Sequence, residues 1–276
     1  MTEEIIAFVG GGNMATSLVA GLIADGYDPQ SLIVSDPEQA KRDAVAARFA
    51  VRTTADNADA LQGAAAAVLC VKPQMAHRVC RGLAAVVAQT APLVISVMAG
   101  IREHSIQEWL GGAHALVRAM PNTPAMIQSG AIVLHATPEV SPAQRNQAET
   151  ILRAGGLTRW VEDEALMDPV TALFGGGPAY FFLFMEILEQ AGVELGIDAE
   201  SARLLTIQTA LGAARMAMES TESPRELRER VTSPGGTTER ALGVLESGGF
   251  GSIVDRAVRA ACERSEELSR LLAEEQ

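Results

Sequence analysis

A run of glycines directly after a short apolar strand is the feature that most constrains the fold of this chain. The β-rich segment 5–9 is followed by Gly10, Gly12 and Ala15 at the spacing G-x-G-x-x-A, and a helical pattern continues over residues 14–24. The first glycine permits a tight turn, the second lets the backbone approach a pyrophosphate, and the small third residue lets the helix pack closely. The helix N-terminus adds N–H donors. We therefore predict a Rossmann-type dinucleotide-binding fold here.

The end of the second predicted strand, residues 32–35, is where such folds usually distinguish NAD from NADP. An acidic residue about 20 positions after the third small residue typically holds the ribose hydroxyls of NAD. Here that position is Ser35, and Asp36 follows it. A serine can accommodate a 2′-phosphate, whereas Asp36 would repel one if it points inward. Lys41 and Arg42 are close enough in sequence to pair with a phosphate. The sequence leaves the choice open.

Short apolar runs alternate with helical patterns through the first half of the chain. Strands are predicted at 5–9, 32–35, 65–71, 93–97, 115–119, 131–134 and 157–161. This alternation indicates parallel strands with crossover helices. After about residue 164 the patterns are helical, with long helices predicted at 179–195, 199–219 and 251–273 and short ones at 225–230 and 238–247. We predict an α/β Rossmann-type domain over 1–164 and an all-α domain over 165–276.

Composition excludes several classes of protein. The formal net charge of −12, with no cluster of basic residues, argues against nucleic acid as a partner. No uninterrupted apolar run reaches the roughly 20 residues of a membrane span, and the acidic N-terminus does not resemble a signal peptide. We therefore expect a cytosolic protein that does not bind membranes. Three cysteines and four scattered histidines form neither a disulfide framework nor a metal-ligand pattern.

Several short motifs occur in one order along the chain. They are Gly10-x-Gly12-Asn13-Met14-Ala15, Val71-Lys72-Pro73-Gln74, Ser96-Val97-Met98-Ala99-Gly100, Arg118-Ala119-Met120-Pro121-Asn122-Thr123-Pro124, Val170-Thr171-Ala172-Leu173, Gly177-Pro178-Ala179-Tyr180 and Val231-Thr232-Ser233-Pro234-Gly235-Gly236-Thr237-Thr238. Together they resemble pyrroline-5-carboxylate reductase from end to end, and the last is that family's most specific signature. The resemblance implies a helical dimerisation domain, NAD(P)H as hydride donor, and reduction of a cyclic imine carboxylate to proline. A ring of dimers is compatible with it.

The resemblance also assigns site residues. On the cofactor side they are Gly10, Gly12, Asn13, Met14, Ser35, Asn57, Val71, Lys72, Pro73, Ala99, Gly100 and Asn122. On the substrate side they are Ser233, Gly235, Gly236, Thr237 and Thr238. Two of the residues assigned to the cofactor also have a simpler interpretation. Lys72 could be a solvated loop lysine, and Asn122 could be an ordinary turn residue.

The segment from Ser233 to Thr238 suits the binding of a carboxylate. Its two glycines expose backbone N–H groups, and a predicted helix begins near Thr238 and adds its dipole. The same residues are also typical of a plain helix N-cap. Thr238 is expected to orient the ring nitrogen of the imine, because a neutral threonine is a poor acid. Positioning beside the nicotinamide suffices for catalysis, without a triad or a metal.

Two alternatives remain. A hydroxyacid dehydrogenase-like or imine reductase of the same architecture would carry a catalytic lysine in the second half, yet residues 167–222 contain no lysine. A catalytically impaired nucleotide-binding homologue is suggested by Phe174 and Gly176, which stand where the family usually has serines. The wide apolar faces of the second-half helices favour a subunit interface in either case.

Overall fold

The computed structural model describes residues 4–274, and its first part contains one eight-stranded sheet. The strands are β1 (Ile6–Val9), β2 (Leu32–Ser35), β3 (Arg52–Thr54), β4 (Ala66–Leu69), β5 (Leu93–Ser96), β6 (Leu116–Pro121), β7 (Gly130–Ala136) and β8 (Gly156–Trp160). Their spatial order is β3-β2-β1-β4-β5-β6-β7-β8. Every residue of β1, β2, β4 and β5 is buried, as expected for strands that are covered on both faces.

The sheet is parallel except at one pair of strands. β6 and β7 are antiparallel, with Ala119 opposite Leu134. The expectation of parallel strands throughout is wrong at this pair. A 3₁₀ turn at Thr123–Ile127 links the two strands, and so short a connection cannot contain a crossover helix. The Rossmann-type fold itself is confirmed.

Helices cover the two faces of the sheet. They are α1 (Asn13–Ala24), α2 (Gln39–Phe49), α3 (Asn57–Leu61), α4 (Ala76–Thr90), α5 (Glu103–Leu110) and α6 (Pro142–Arg153). Two apolar clusters result: Phe8 and Leu18 belong to one, and Leu69 and Ile106 to the other. The close packing of α1 depends on Gly21, where an added Cβ would lie 2.1 Å from the Ala154 carbonyl oxygen.

The second part of the chain is helical. It comprises the short α7 (Met167–Val170), a π-helical turn at Thr171–Gly175, and then α8 (Gly177–Glu194), α9 (Ala199–Glu219), α10 (Pro224–Arg230), α11 (Thr237–Ser247) and α12 (Phe250–Glu274). Within the described chain, residues up to Gly176 and those from Ala261 form one compact unit, and Gly177–Ala260 form another. The boundaries between the compact units, after Gly176 and after Ala260, therefore differ from residue 164. The functional division at residue 164 stays a prediction.

Many large apolar side chains on the long helices are exposed. Leu204 and Leu205 on α9 are each 60 % exposed, and Phe181 on α8 is 67 % exposed. The stretch Glu164–Glu194 is also long and apolar enough, by length and composition alone, to cross a membrane. The stretch contains Asp168, Glu186 and Glu189, so it is not the uninterrupted apolar run of about 20 residues that the sequence analysis found absent. An apolar helix face that binds another subunit also satisfies this test of length and composition.

Candidate functional site

The carboxyl edge of the sheet gathers the residues predicted to bind the cofactor. β2, β1, β4, β5 and β6 are adjacent and parallel, so their carboxyl ends meet at one edge. The glycine loop follows β1, Val71-Lys72-Pro73 follow β4, Ala99-Gly100 follow β5 and Asn122 follows β6. Asn57 begins α3, just after β3. Ligands bind at this edge in open parallel sheets.

The glycine loop has the geometry that a pyrophosphate requires. Gly10 has a φ of +101°, and a Cβ there would lie 2.8 Å from the Cys70 carbonyl oxygen, so only glycine fits. A Cβ at Gly12 would have no described atom within 4 Å and would point into open space. Gly12 caps α1 without a side-chain hydrogen bond, which leaves the N–H groups of Asn13 and Met14 without an acceptor in the described chain. These groups fit a bound dinucleotide phosphate.

The structure shows how Ser35 and Asp36, at the end of β2, are oriented, which the sequence alone left open. The Ser35 hydroxyl is buried and donates to the Phe8 carbonyl oxygen at 3.3 Å, so it does not face a ligand. Asp36 points inward instead, and its Oδ2 accepts a hydrogen bond from the Gly11 N–H at 2.9 Å. Sequence reasoning did not foresee this contact, although the spacing of Asp36 from the loop was a usable signal.

The segment after β4 is a 3₁₀ turn at Pro73–Met75. Lys72 precedes this turn and is exposed, while Val71 and Pro73 are half-buried. Within residues 4–274 no ion pair of Lys72 is found. Its place at the sheet edge is compatible with a contact to the cofactor and equally with a solvated loop lysine.

The loop after β5 lies under the end of α12. A Cβ at Gly100 would lie 3.1 Å from Leu272 Cδ1, so this half-buried glycine packs against the helix, while Ala99 is exposed. The end of α12 is held by Asp168, whose Oδ1 accepts hydrogen bonds from Ser265 Oγ at 2.7 Å and Ser269 Oγ at 3.4 Å. The C-terminal helix therefore helps to shape this part of the edge.

Asn122 uses its side chain for internal structure. Its Oδ1 accepts from the Ala131 N–H at 2.9 Å, and its Nδ2 donates to the Phe174 carbonyl oxygen at 3.3 Å. The amide thus connects β7 with the π-helical turn that contains Phe174. This geometry supports the structural alternative for Asn122, and a contact between its backbone and the cofactor stays a prediction.

A partly buried ionic cluster joins the sheet to the start of the helical segment. His135 Nδ1 and Glu103 Oε1 are 2.6 Å apart. Arg118 donates to Glu164 Oε1 at 2.8 Å, and the Glu103 N–H donates to the same oxygen at 2.8 Å. Burial raises the pKa of Glu103, and the hydrogen bond with His135 opposes that shift. The cluster fixes Glu164, the last residue of the predicted first domain.

The predicted substrate loop lies between α10 and α11. The Gly236 N–H donates to the Ser233 carbonyl oxygen at 3.0 Å, and Gly235 has a φ of +72°. The N–H groups and hydroxyls of Thr237 and Thr238 have no hydrogen-bond partner among the described residues outside α11, and no side chain caps the helix. The start of α11 is therefore open to an anion.

One carboxylate already occupies part of this loop. Glu239 Oε2 accepts a hydrogen bond from the Gly235 N–H at 2.7 Å. An open depression of about 500 Å³ lies beside it and is lined by Gly235, Gly236, Glu239 and Arg240 among others. Sequence reasoning missed Glu239. Its position three residues after the Gly236 cap, where a side chain can reach back to the turn, was the available signal.

Comparison with known proteins identifies the family. A family described as pyrroline-5-carboxylate reductase dimerisation matches residues 164–268, and one described as NADP oxidoreductase coenzyme F420-dependent matches residues 5–100. The pyrroline-5-carboxylate reductase of Pseudomonas aeruginosa is 46 % identical over 274 residues, which cover 99 % of this chain and 100 % of the relative. The chain belongs to the pyrroline-5-carboxylate reductase family. The predicted family is confirmed.

Solved structures agree with this membership. A pyrroline-5-carboxylate reductase from Coxiella burnetii has a TM-score of 0.93 and 47 % identity, covering 96 % of this chain and 98 % of that one. The Plasmodium falciparum pyrroline carboxylate reductase with NADP bound has a TM-score of 0.84 and 28 % identity. The match covers 98 % of this chain and 99 % of that one. Prephenate dehydrogenase from Aquifex aeolicus, at 13 % identity and a TM-score of 0.54, shares the fold alone.

Proposed function

We propose that this chain reduces 1-pyrroline-5-carboxylate to L-proline with a hydride from NAD(P)H, the last step of proline biosynthesis. The observation that carries the proposal is the full-length 46 % identity to a reductase of that name. The matched oxidoreductase family over residues 5–100 supports NADP as the cofactor, and the open N–H groups of the glycine loop fit its pyrophosphate. We place the protein in the cytosol, where a biosynthetic enzyme of this kind finds its substrates.

The reaction needs a hydride donor, an anchor for the carboxylate and a proton on the ring nitrogen. The nicotinamide, when bound, supplies the hydride. The chain binds the pyrophosphate through Gly10, Gly12 and the N-terminus of α1. The other residues assigned to the cofactor line the sheet edge, except Ser35, whose side chain is buried against the Phe8 carbonyl. The protein therefore works by positioning its reactants, and neither a triad nor a metal is required.

The carboxylate anchor in our proposal is the first turn of α11. The N–H groups of Thr237 and Thr238, which have no acceptor among residues 4–274, and the helix dipole attract the anion. Ser233 and Gly236 close the turn before the helix through their mutual hydrogen bond. Glu239 must leave the Gly235 N–H for the substrate carboxylate to use that donor as well. Thr238 orients the ring nitrogen through its hydroxyl.

A direct assay tests the proposed activity. The purified chain, given pyrroline-5-carboxylate and NADPH, should oxidise NADPH and release proline with a turnover number above about 1 per second, as is usual for enzymes. NADPH consumption and proline formation are measured in parallel, and they should be equal. A chain that binds NADPH but shows no turnover would contradict the proposal. That outcome would favour the impaired homologue suggested by Phe174 and Gly176.

We also propose that the chain forms at least a homodimer through its helical part. The family match over residues 164–268 is a dimerisation domain. The exposed apolar faces of α8 and α9 provide the surface, because so large an apolar area is unusual on a monomer. A subunit interface, rather than a membrane, is our explanation for the apolar stretch Glu164–Glu194.

Sedimentation at micromolar concentration should therefore give a mass of at least twice the 29.0 kDa of one chain. Leu205→Asp should weaken the assembly at least about tenfold, because a charge would be buried in an apolar interface. Leu157→Asp is the matched control, since Leu157 is similarly exposed but lies on β8. A wild-type chain that sediments only as a monomer would refute the interface.

A further inference from the structure

A buried carboxylate lies where a Rossmann fold holds the adenosine ribose of its cofactor. Asp36 directly follows β2, and its side chain is buried. Its Oδ2 accepts from the Gly11 N–H and its Oδ1 from the Glu38 N–H, each at 2.9 Å. The end of this strand is the position at which such folds bind the ribose 2′-hydroxyl of NAD or the 2′-phosphate of NADP.

The side chains that could bind a 2′-phosphate already have hydrogen-bond or ion-pair partners within the chain. The Ser35 hydroxyl is buried against the Phe8 carbonyl. Arg42 donates through one nitrogen to the Asp36 carbonyl at 2.7 Å and the Pro37 carbonyl at 3.0 Å. Lys41 pairs with Glu38 at 2.6 Å and lies 3.8 Å from Asp36 Oδ2. Lys41 and Arg42 are thus both held by acceptors of the chain itself.

These contacts set the charge at the ribose site. A 2′-phosphate carries more negative charge than a hydroxyl, and a fixed carboxylate next to it repels the phosphate without repelling the hydroxyl. Asp36 is also held by two backbone donors, so turning away would cost both hydrogen bonds.

We propose that Asp36 selects against the 2′-phosphate of the cofactor, so that NADH competes effectively with NADPH in this chain. The inference rests on the cofactor assignment of the proposed function and adds to it the residue that sets the preference. Asp36 changes the relative affinity for the two cofactors and does not prevent NADP from binding.

The test compares two cofactor fragments that differ only in the 2′-phosphate. Dissociation constants of ADP-ribose and 2′-phospho-ADP-ribose are measured by calorimetry at low salt, without substrate. Asp36→Asn keeps an oxygen for the Gly11 N–H but removes the charge. The variant should shift the ratio of the two constants by about ten- to a hundredfold in favour of the phosphorylated fragment. The shift should shrink as salt is added.

The ratio separates selectivity from damage to the loop, since a distorted loop weakens both fragments alike. Asp36→Ser is a second variant with a smaller side chain. Glu38→Gln is the matched control, because it removes a negative charge two residues away whose side chain is 64 % exposed and paired with Lys41. It should change the ratio less than about threefold.

The outcomes are distinct. An unchanged ratio in both Asp36 variants, or an equal shift in Glu38→Gln, would overturn the role of Asp36 while the cofactor assignment stands. Failure of the wild-type chain to bind either fragment would overturn the cofactor assignment, and the selectivity with it.

Discussion

Gly12→Val should abolish cofactor binding while the chain remains folded. An added Cβ at Gly12 has no described atom within 4 Å, so valine meets nothing in the protein but fills the space needed by the pyrophosphate. The backbone there, with a φ of −78° and a ψ of −175°, is extended and open to any residue. Losing two hydrogen bonds to a phosphate should weaken NADPH binding at least about a hundredfold. Calorimetry measures the affinity.

Gly82→Val is the matched control for this variant. Gly82 lies on the exposed side of α4, and a Cβ there would also have no described atom within 4 Å. Both variants should keep a cooperative thermal unfolding transition, and only Gly12→Val should lose NADPH. Unchanged nucleotide affinity in folded Gly12→Val would refute the assignment of the glycine loop.

Thr238→Ala should lower kcat/KM for pyrroline-5-carboxylate by about 10- to 150-fold. The loss of one hydrogen bond to a charged or polarised group costs about 1.5–3 kcal/mol, and about 1.4 kcal/mol corresponds to a factor of ten. The hydroxyl of Thr238 has no partner within the described chain, so its removal should leave the fold unchanged. Steady-state kinetics with varied substrate at saturating NADPH provides the measurement.

The affinity for NADPH should barely change in Thr238→Ala, because the glycine loop belongs to the other compact unit. Thr150→Ala is a matched control, since the Thr150 hydroxyl donates to the Asn146 carbonyl on the exposed side of α6. Full catalytic efficiency in Thr238→Ala would rule out its role. So would a loss of NADPH affinity as large as the loss of turnover.

The sequence predicted the elements whose patterns are local. Short runs of apolar, β-branched residues that end in glycine or a polar turn, such as those in β1 and β2, predict buried strands, and the glycine motif is typical of a strand–turn–helix unit. The long helices after residue 177 also lie within a few residues of their predicted bounds, because glycine or proline marks their ends. The family, and with it the candidate loops, followed from motif order.

What the sequence did not predict depends on contacts between distant residues. β3 is only three residues long and carries Arg52 and two threonines, so it has no apolar pattern to detect. The inward direction of Asp36 is set by the Gly11 N–H, 25 residues away. The use of the Asn122 amide depends on Phe174, 52 residues away. No local pattern contains such information.

The return of α12 to the first compact unit has a consequence for the synthesis of the chain. Asp168 and the loop at Gly100 obtain their partners from Ser265, Ser269 and Leu272. Because a ribosome releases residues in order, the cofactor-binding half emerges about a hundred residues before the helix turn that packs against this loop. A fragment ending near residue 164 would lack those contacts, and the nascent chain completes the packing of the Gly100 loop only when α12 is made.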